Sequence, residues 1–194
     1  MLTIRHCLLR QRGFTLVELM IGLAIVGLLL MQAIPSFSAW IQNMQVRNSA
    51  EALLNGLQLA RTQAVRSNAS TELVLLTGEP LPRNVGAASS VAGSNWIVRN
   101  YQAGGSYTAS DFVQGRSGKD GSKSAVVAAD QGSFVFTPLG RLLNPPAADV
   151  TINVSSPTST RPMRLIISPG GQFLMCDPDA TAKSANPNNP QFCP

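Results

Sequence analysis

Arg12-Gly13-Phe14-Thr15-Leu16-Val17-Glu18-Leu19-Met20-Ile21 opens an apolar run that continues to Ile34. Ahead of it lies a basic, polar leader, residues 1–13, that stops at a glycine. From Phe14 to Ile34 there are 21 residues, and Glu18 is the only ionisable one. At 1.5 Å per residue such a helix is about 31 Å long, close to the hydrocarbon thickness of a bilayer. Only a helix or a closed barrel satisfies its own backbone in lipid, and one segment cannot close a barrel. Arg5, Arg10 and Arg12 precede the run, so the positive-inside rule puts the N-terminus in the cytoplasm and everything after Ile34 outside.

Two plainer explanations compete. A conventional secretory signal cut near Ala33 has an apolar region of about 7–15 residues, shorter than this one. An uncleaved signal anchor fits the length. Neither gives Glu18 a purpose, because a carboxylate inside a bilayer costs about 2.5–3.5 kcal/mol on insertion scales and characteristically marks function.

Outward from this segment, Pro35 lacks the amide proton that would bond back to Met31, which predicts a kink or local melting. Val46, Ala50, Leu53, Leu57, Ala60 and Ala64 then recur at spacings of four and three, with Arg47, Glu51, Asn55, Arg61 and Arg66 mostly off that stripe. The pattern predicts an amphipathic helix over 35–68 that buries one face, ended by Ser67-Asn68. Strand-like runs follow at Thr71–Thr77, Asn95–Tyr101, Ser124–Ala128, Ser133–Thr137, Val150–Val154, Arg164–Ser168 and Gln172–Cys176. Asp130-Gln131-Gly132 reads as a turn between the third and fourth, and Pro169-Gly170-Gly171 as a hairpin turn between the last two. In the second run Trp96 and Val98 share one face, Ile97 and Arg99 the other. Gln102–Lys123, rich in Gly and Ser, reads as a long loop with one apolar island, Asp111-Phe112-Val113. A helix followed by six or seven antiparallel strands is an α+β arrangement.

Composition bounds the function. The chain has 194 residues, fifteen basic and ten acidic, for a formal charge of +5. Removing the three leader arginines leaves twelve against ten, or +2, so the basic pI says little about nucleic acid. Cys176 and Cys193 lie on the oxidising side and are read as a disulfide closing the tail 176–194. Cys7 lies in the leader. Asp177 and Asp179 read as a capped turn rather than a calcium site. Trp40 reads as an anchor at the membrane interface and Trp96 as a core residue.

The leader glycine, the apolar run and its single acid resemble the type IV prepilin signal of pilins and secretion pseudopilins. Leu57–Arg66, Asn95–Val98, Phe134–Arg141 and Arg164–Ser168, on to Cys176-Asp177-Pro178, are similar to the GspH/FimT family of minor pilins and pseudopilins. The resemblance implies a type IV pilin-like fold, a long bent helix (14–34 membrane-spanning, 35–68 amphipathic) on an antiparallel β-sheet domain over 69–175. It further implies cleavage between Gly13 and Phe14 by a prepilin peptidase and N-methylation of Phe14. Glu18 would pair with the N-terminal amine of a neighbouring subunit, since a buried carboxylate needs a cationic partner. Loss of the leader removes His6, the only histidine, and with it any Ser-His or Cys-His relay. No enzyme, metal or cofactor is expected. The expected partners are the peptidase, other (pseudo)pilin subunits and the bacterial inner membrane, with the globular domain periplasmic.

The family divides between type IV pilus biogenesis and the type II protein secretion system, and the cysteine-closed tail resembles the pilus branch more. Some pilus-branch members bind DNA through a glycine followed by two alternating arginines before the first tail cysteine. Those positions here are Gly171, Gln172 and Leu174, so both arginines are missing. Arg141, Arg161 and Arg164 are the remaining candidates for phosphate contact.

Overall fold

Fifty-two consecutive residues, Leu16–Ser67, form one helix, α1, in the computed structural model. The structure describes residues 13–179, 184 and 191–193, and the side chains of all of these except 32–36. The leader residues Arg5, His6, Cys7, Arg10 and Arg12 lie outside the described residues. The chain divides into two units, 1–38 and 39–194.

Thr15 caps the start of α1, its Oγ1 accepting the amide of Glu18 at 3.2 Å. The helix ends with Asn68 in the left-handed region (φ +50°) and the Ala69 amide bonding back to the carbonyl of Ala64 at 3.3 Å. That is a Schellman closure with asparagine where glycine is usual. Helical backbone runs on through Pro35. This corrects local melting, one of the two outcomes expected there: proline removes one i→i−4 bond, and the bonds of the turns on either side keep the backbone helical. Among the described residues no helix is long and apolar enough to cross a membrane. The side chains described for the apolar run end at Met31, three residues short of Ile34.

Eight strands form two antiparallel sheets. One holds β3 (Phe112–Arg116), β2 (Asn95–Asn100), β1 (Thr71–Leu76) and β5 (Ser133–Phe136), in that order. The other holds β4 (Val126–Ala129), β6 (Val150–Ser155), β7 (Met163–Ile167) and β8 (Phe173–Cys176). The predicted stripe of α1, from Val46 to Ala64, is fully buried and shares one core with Leu73, Trp96, Phe134 and Phe136 of the first sheet and Ile152, Leu165 and Ile167 of the second. Gly56 is what allows the helix so close. A Cβ there would stand 2.9 Å from Leu73 Cδ1 and 3.1 Å from the Trp96 ring. Val74, Leu76 and Ile97 form a smaller cluster on the opposite face of the first sheet. β1 is thus buried on both faces, which explains why its sequence does not alternate.

Two expectations change, and a third holds. Asp130–Gly132, expected as a turn between two neighbouring strands, does not close a hairpin, and the strands divide between two sheets. It carries the chain from β4 in one sheet to β5 in the other, with the Asp130 carboxylate accepting the amide and hydroxyl of Thr151 at 2.7 and 3.0 Å. The strand count rises to eight because the supposed loop 102–123 contains β3, paired to β2 with a register shift at Val98/Arg99. Gly115, which disguises this strand in the sequence, is required: a Cβ would lie 2.5 Å from the carbonyl oxygen of Pro80. The hairpin turn at Pro169–Gly171 is present, with Gly171 at φ +80° and its amide donating to Ser168 at 2.8 Å.

Candidate functional site

Gly13 has open space around it, with no atom within 4 Å of where a Cβ would stand. Phe14, next to it, is 83% exposed. Among the described residues nothing packs over the Gly13–Phe14 bond. From Phe14 to Met31 every large apolar side chain is more than half exposed, on all sides of the helix. A helix apolar all round is stable only in an apolar surround, whether lipid or other helices.

Glu18 is the exception within that surface. It occupies the first turn of α1, where its charge suits the helix dipole. Thr15 uses its hydroxyl on the Glu18 amide, and the carboxylate makes no ion pair among the described residues. Thr15-x-x-Glu18 is also a helix-start signature, legible in the sequence. Among the described residues, the apolar stretch 14–31 thus holds one carboxylate and no cation to meet it.

At the other end of the chain, Cys176 and Cys193 are bonded, with Cα atoms 4.9 Å apart. The Asp177 amide donates to the carbonyl of Gln191 at 2.7 Å, and the Cys193 amide to that of Asp177 at 2.9 Å, so backbone and disulfide close the tail together. Asp177 Oδ1 accepts the Asp179 amide at 3.0 Å, which is the capped turn expected there. Among the described residues no cluster of three or more His, Cys, Asp or Glu could hold a metal ion.

The three candidate arginines sit in different surroundings. Arg141 borders a shallow groove with Leu139, Pro145 and Pro169. Arg161 borders another with Trp40 and Met44. Arg164 is half-buried on the second sheet, its Nε donating to Asn153 Oδ1 at 2.7 Å. Gln172 and Leu174 are both exposed and alternate along the β7–β8 hairpin, where the family's two arginines would stand. Gly171 cannot be replaced: a Cβ would fall 2.2 Å from the carbonyl oxygen of Gly140.

The sequence does not announce the polar cluster on the back of the first sheet. Glu72 and Arg99 are both buried and ion-paired at 2.7 Å across β1 and β2. The Tyr107 hydroxyl donates to Glu72 Oε2 at 2.9 Å, and the Ser133 hydroxyl donates to Oε1. Arg99 also donates to the carbonyl of Val85, and its guanidinium stacks 3.6 Å above the Tyr107 ring. Burial, and then the bond to Glu72, push the Tyr107 phenol above its ordinary value, so it stays a donor. Nearby, the amide of Thr108 holds the Asp111 carboxylate below the usual range and closes a capping box. With every member satisfied, this network clamps loops 79–94 and 101–111 to the sheet and leaves no open group for chemistry.

Residues 49–171, well over half of the chain, match the model of the family described as type II transport protein GspH. Residues 8–31 match the prokaryotic N-terminal methylation motif. The type IV major fimbrial protein FimA of Dichelobacter nodosus is 36% identical over 76 residues, which are 39% of this chain and 44% of that protein. The chain thus spans less than half the length of that relative. Two crystal forms of the type IV minor pilin FimU from Pseudomonas aeruginosa superpose with TM-scores of 0.50 and 0.51 at 18% identity. They cover 69% and 72% of this chain and 97% of the other, a likeness of fold alone.

Proposed function

Because the chain belongs to the GspH family of structural, non-enzymatic pilins and pseudopilins and carries a prepilin-type N-terminus, we propose that it is a minor pilin that joins or primes a type IV pilus. The observation that carries this reading is the carboxylate of Glu18, without an ion pair among the described residues, in an otherwise apolar, exposed helix. In the bilayer the helix is surrounded by lipid, and in a filament by the helices of other subunits. Cleavage after Gly13 creates a cationic amine on Phe14 of each subunit, which supplies the charge Glu18 lacks when subunits stagger. Burying a carboxylate is tolerable with a cationic partner and costly without one, so the pairing sets register and selects processed subunits. Methylation of Phe14 keeps that amine basic. The subunit waits in the inner membrane with residues 39–194 in the periplasm, and Pro35 marks where the helix can bend between its two halves.

The branch is read as the pilus one. A cysteine-closed tail and the likeness of fold to a pilus subunit support it, whereas the family description favours a pseudopilin of type II secretion. Loss of pili on deletion of the gene, with secretion intact, is the result expected; the reverse pattern assigns the chain to the secretion pseudopilus. The processing step is tested by sequencing the mature N-terminus from cells that contain the peptidase. It should begin at Phe14, and Gly13→Val should leave the precursor uncut. A mature chain that starts elsewhere removes the basis of this assignment.

A further inference from the structure

We propose that a groove on residues 39–194 holds a zwitterionic, primary-amine phospholipid from the surrounding membrane. The proposal rests on the membrane-anchored reading above. The groove has a volume of about 430 Å³ and an apolar lining of Trp40, Met44, Met163 and Met175. Trp40 and Met44 are 57% and 43% exposed, and with Ile41 they form an open apolar strip along α1. Aromatic residues of this kind settle at headgroup level, and methionines adapt to flexible chains. In the sequence Trp40 follows the end of the apolar run at Ile34 by only six residues, the place where an aromatic anchor at a membrane boundary is expected.

Charge selects the occupant. Arg161 and Asp177 line the same groove, yet neither forms an ion pair among the described residues. The Arg161 amide is engaged by Asn43 Oδ1 at 3.2 Å, and Asp177 Oδ1 takes the Asp179 amide. Arg47, which also lines the groove, is held 2.8 Å from Glu51. A guanidinium and a carboxylate that face one cavity without meeting fit a headgroup bearing both charges: phosphate toward Arg161, ammonium toward Asp177. A free phosphate leaves the apolar lining unused. An anionic lipid leaves Asp177 unpaired, and a quaternary amine cannot donate hydrogen bonds to it.

The test uses the full-length protein in bilayer nanodiscs, with Trp40 as reporter. Trp96, only 4% exposed, gives a constant background that Trp40→Phe measures. Phosphatidylethanolamine with brominated chains should quench Trp40 about two- to five-fold more than phosphatidylcholine with the same chains at equal mole fraction. Asp177→Asn keeps the carbonyl that caps the turn, and should erase the headgroup preference with unchanged thermal unfolding. Arg161→Gln should weaken quenching by both lipids. Equal quenching by both headgroups, or none, overturns the proposal; so does cross-linking from position 40 into a second copy without any quenching. Carbonate-resistant membrane association is scored in parallel: if it persists the anchor stands without the groove site, and if it fails both readings fall.

Discussion

At the residue scale the decisive contrast is between two acids, Glu18 and Glu72. Glu18 is exposed in a helix that asks for an apolar surround, and no cation of its own chain meets it among the described residues. Glu72 is buried, and Arg99, Tyr107 and Ser133 satisfy it. Glu18→Ala should therefore leave insertion and cleavage intact and abolish co-assembly, read as a processed subunit absent from sheared filaments. Normal incorporation of that variant would show that register comes from elsewhere. Glu72→Ala should destabilise the folded domain by about 3–5 kcal/mol, because it strands a buried guanidinium. Denaturant unfolding of the variant measures this, and the double change Glu72→Leu with Arg99→Met should recover only part of the loss, because the Tyr107 and Ser133 hydroxyls and the Val85 carbonyl lose their partners as well. Glu18 could be read from the sequence because the anomaly is local, an acid in an apolar run. Glu72 and Arg99 could not, since their partnership spans 27 positions and exists only once β1 and β2 pair in register.

At the scale of elements, α1 was legible to within a residue or two because period and caps agree. Val46, Ala50, Leu53, Leu57, Ala60 and Ala64 are each at most 1% exposed, and the left-handed Asn68 marks the end. Seven strands were legible because alternating or continuous apolar runs sit between turn residues. β3 was hidden because its glycine answers to a distant backbone, the carbonyl of Pro80, rather than to a local turn. The split into two sheets was hidden for a related reason. Asp130–Gly132 has turn chemistry, but tertiary bonds to Thr151 and from the Leu75 amide to Gly132 decide where it leads. Leu57 lies in the helix–sheet core with no exposure, next in sequence to the Gly56 close approach. Leu57→Ala should cost about 2–5 kcal/mol, since the rigid rings of Trp96, Phe134 and Phe136 limit collapse into the cavity. Urea unfolding of the periplasmic domain reads this directly, and a loss below about 1 kcal/mol would mean the site closes up after all.

At the scale of the whole molecule, the two units answer to different solvents. No residue before Val46 belongs to the buried core of 39–194, so that core does not depend on the apolar run. Residues 42–45 still contribute polar ties at the rim: Gln45 accepts from the amide and hydroxyl of Ser124, Gln42 from the Thr158 amide, and Asn43 from the amides of Thr160 and Arg161. A fragment that begins at Ala39 retains these ties, the complete stripe and the Cys176–Cys193 bond, and should fold as a water-soluble domain with cooperative thermal unfolding. One that begins at Gly56 loses Val46, Ala50 and Leu53 as well. At about 1.5–3 kcal/mol for each large buried side chain and less for alanine, that is comparable to the roughly 5–15 kcal/mol separating folded from unfolded domains. The longer fragment should give dispersed amide resonances and the shorter one should not. If both fold equally well, the helix is a passenger on the sheets rather than the third wall of their core. The longer fragment should also fail to enter filaments in cells, since it lacks both Glu18 and the helix around it. Its entry would place the assembly determinants in the β domain instead.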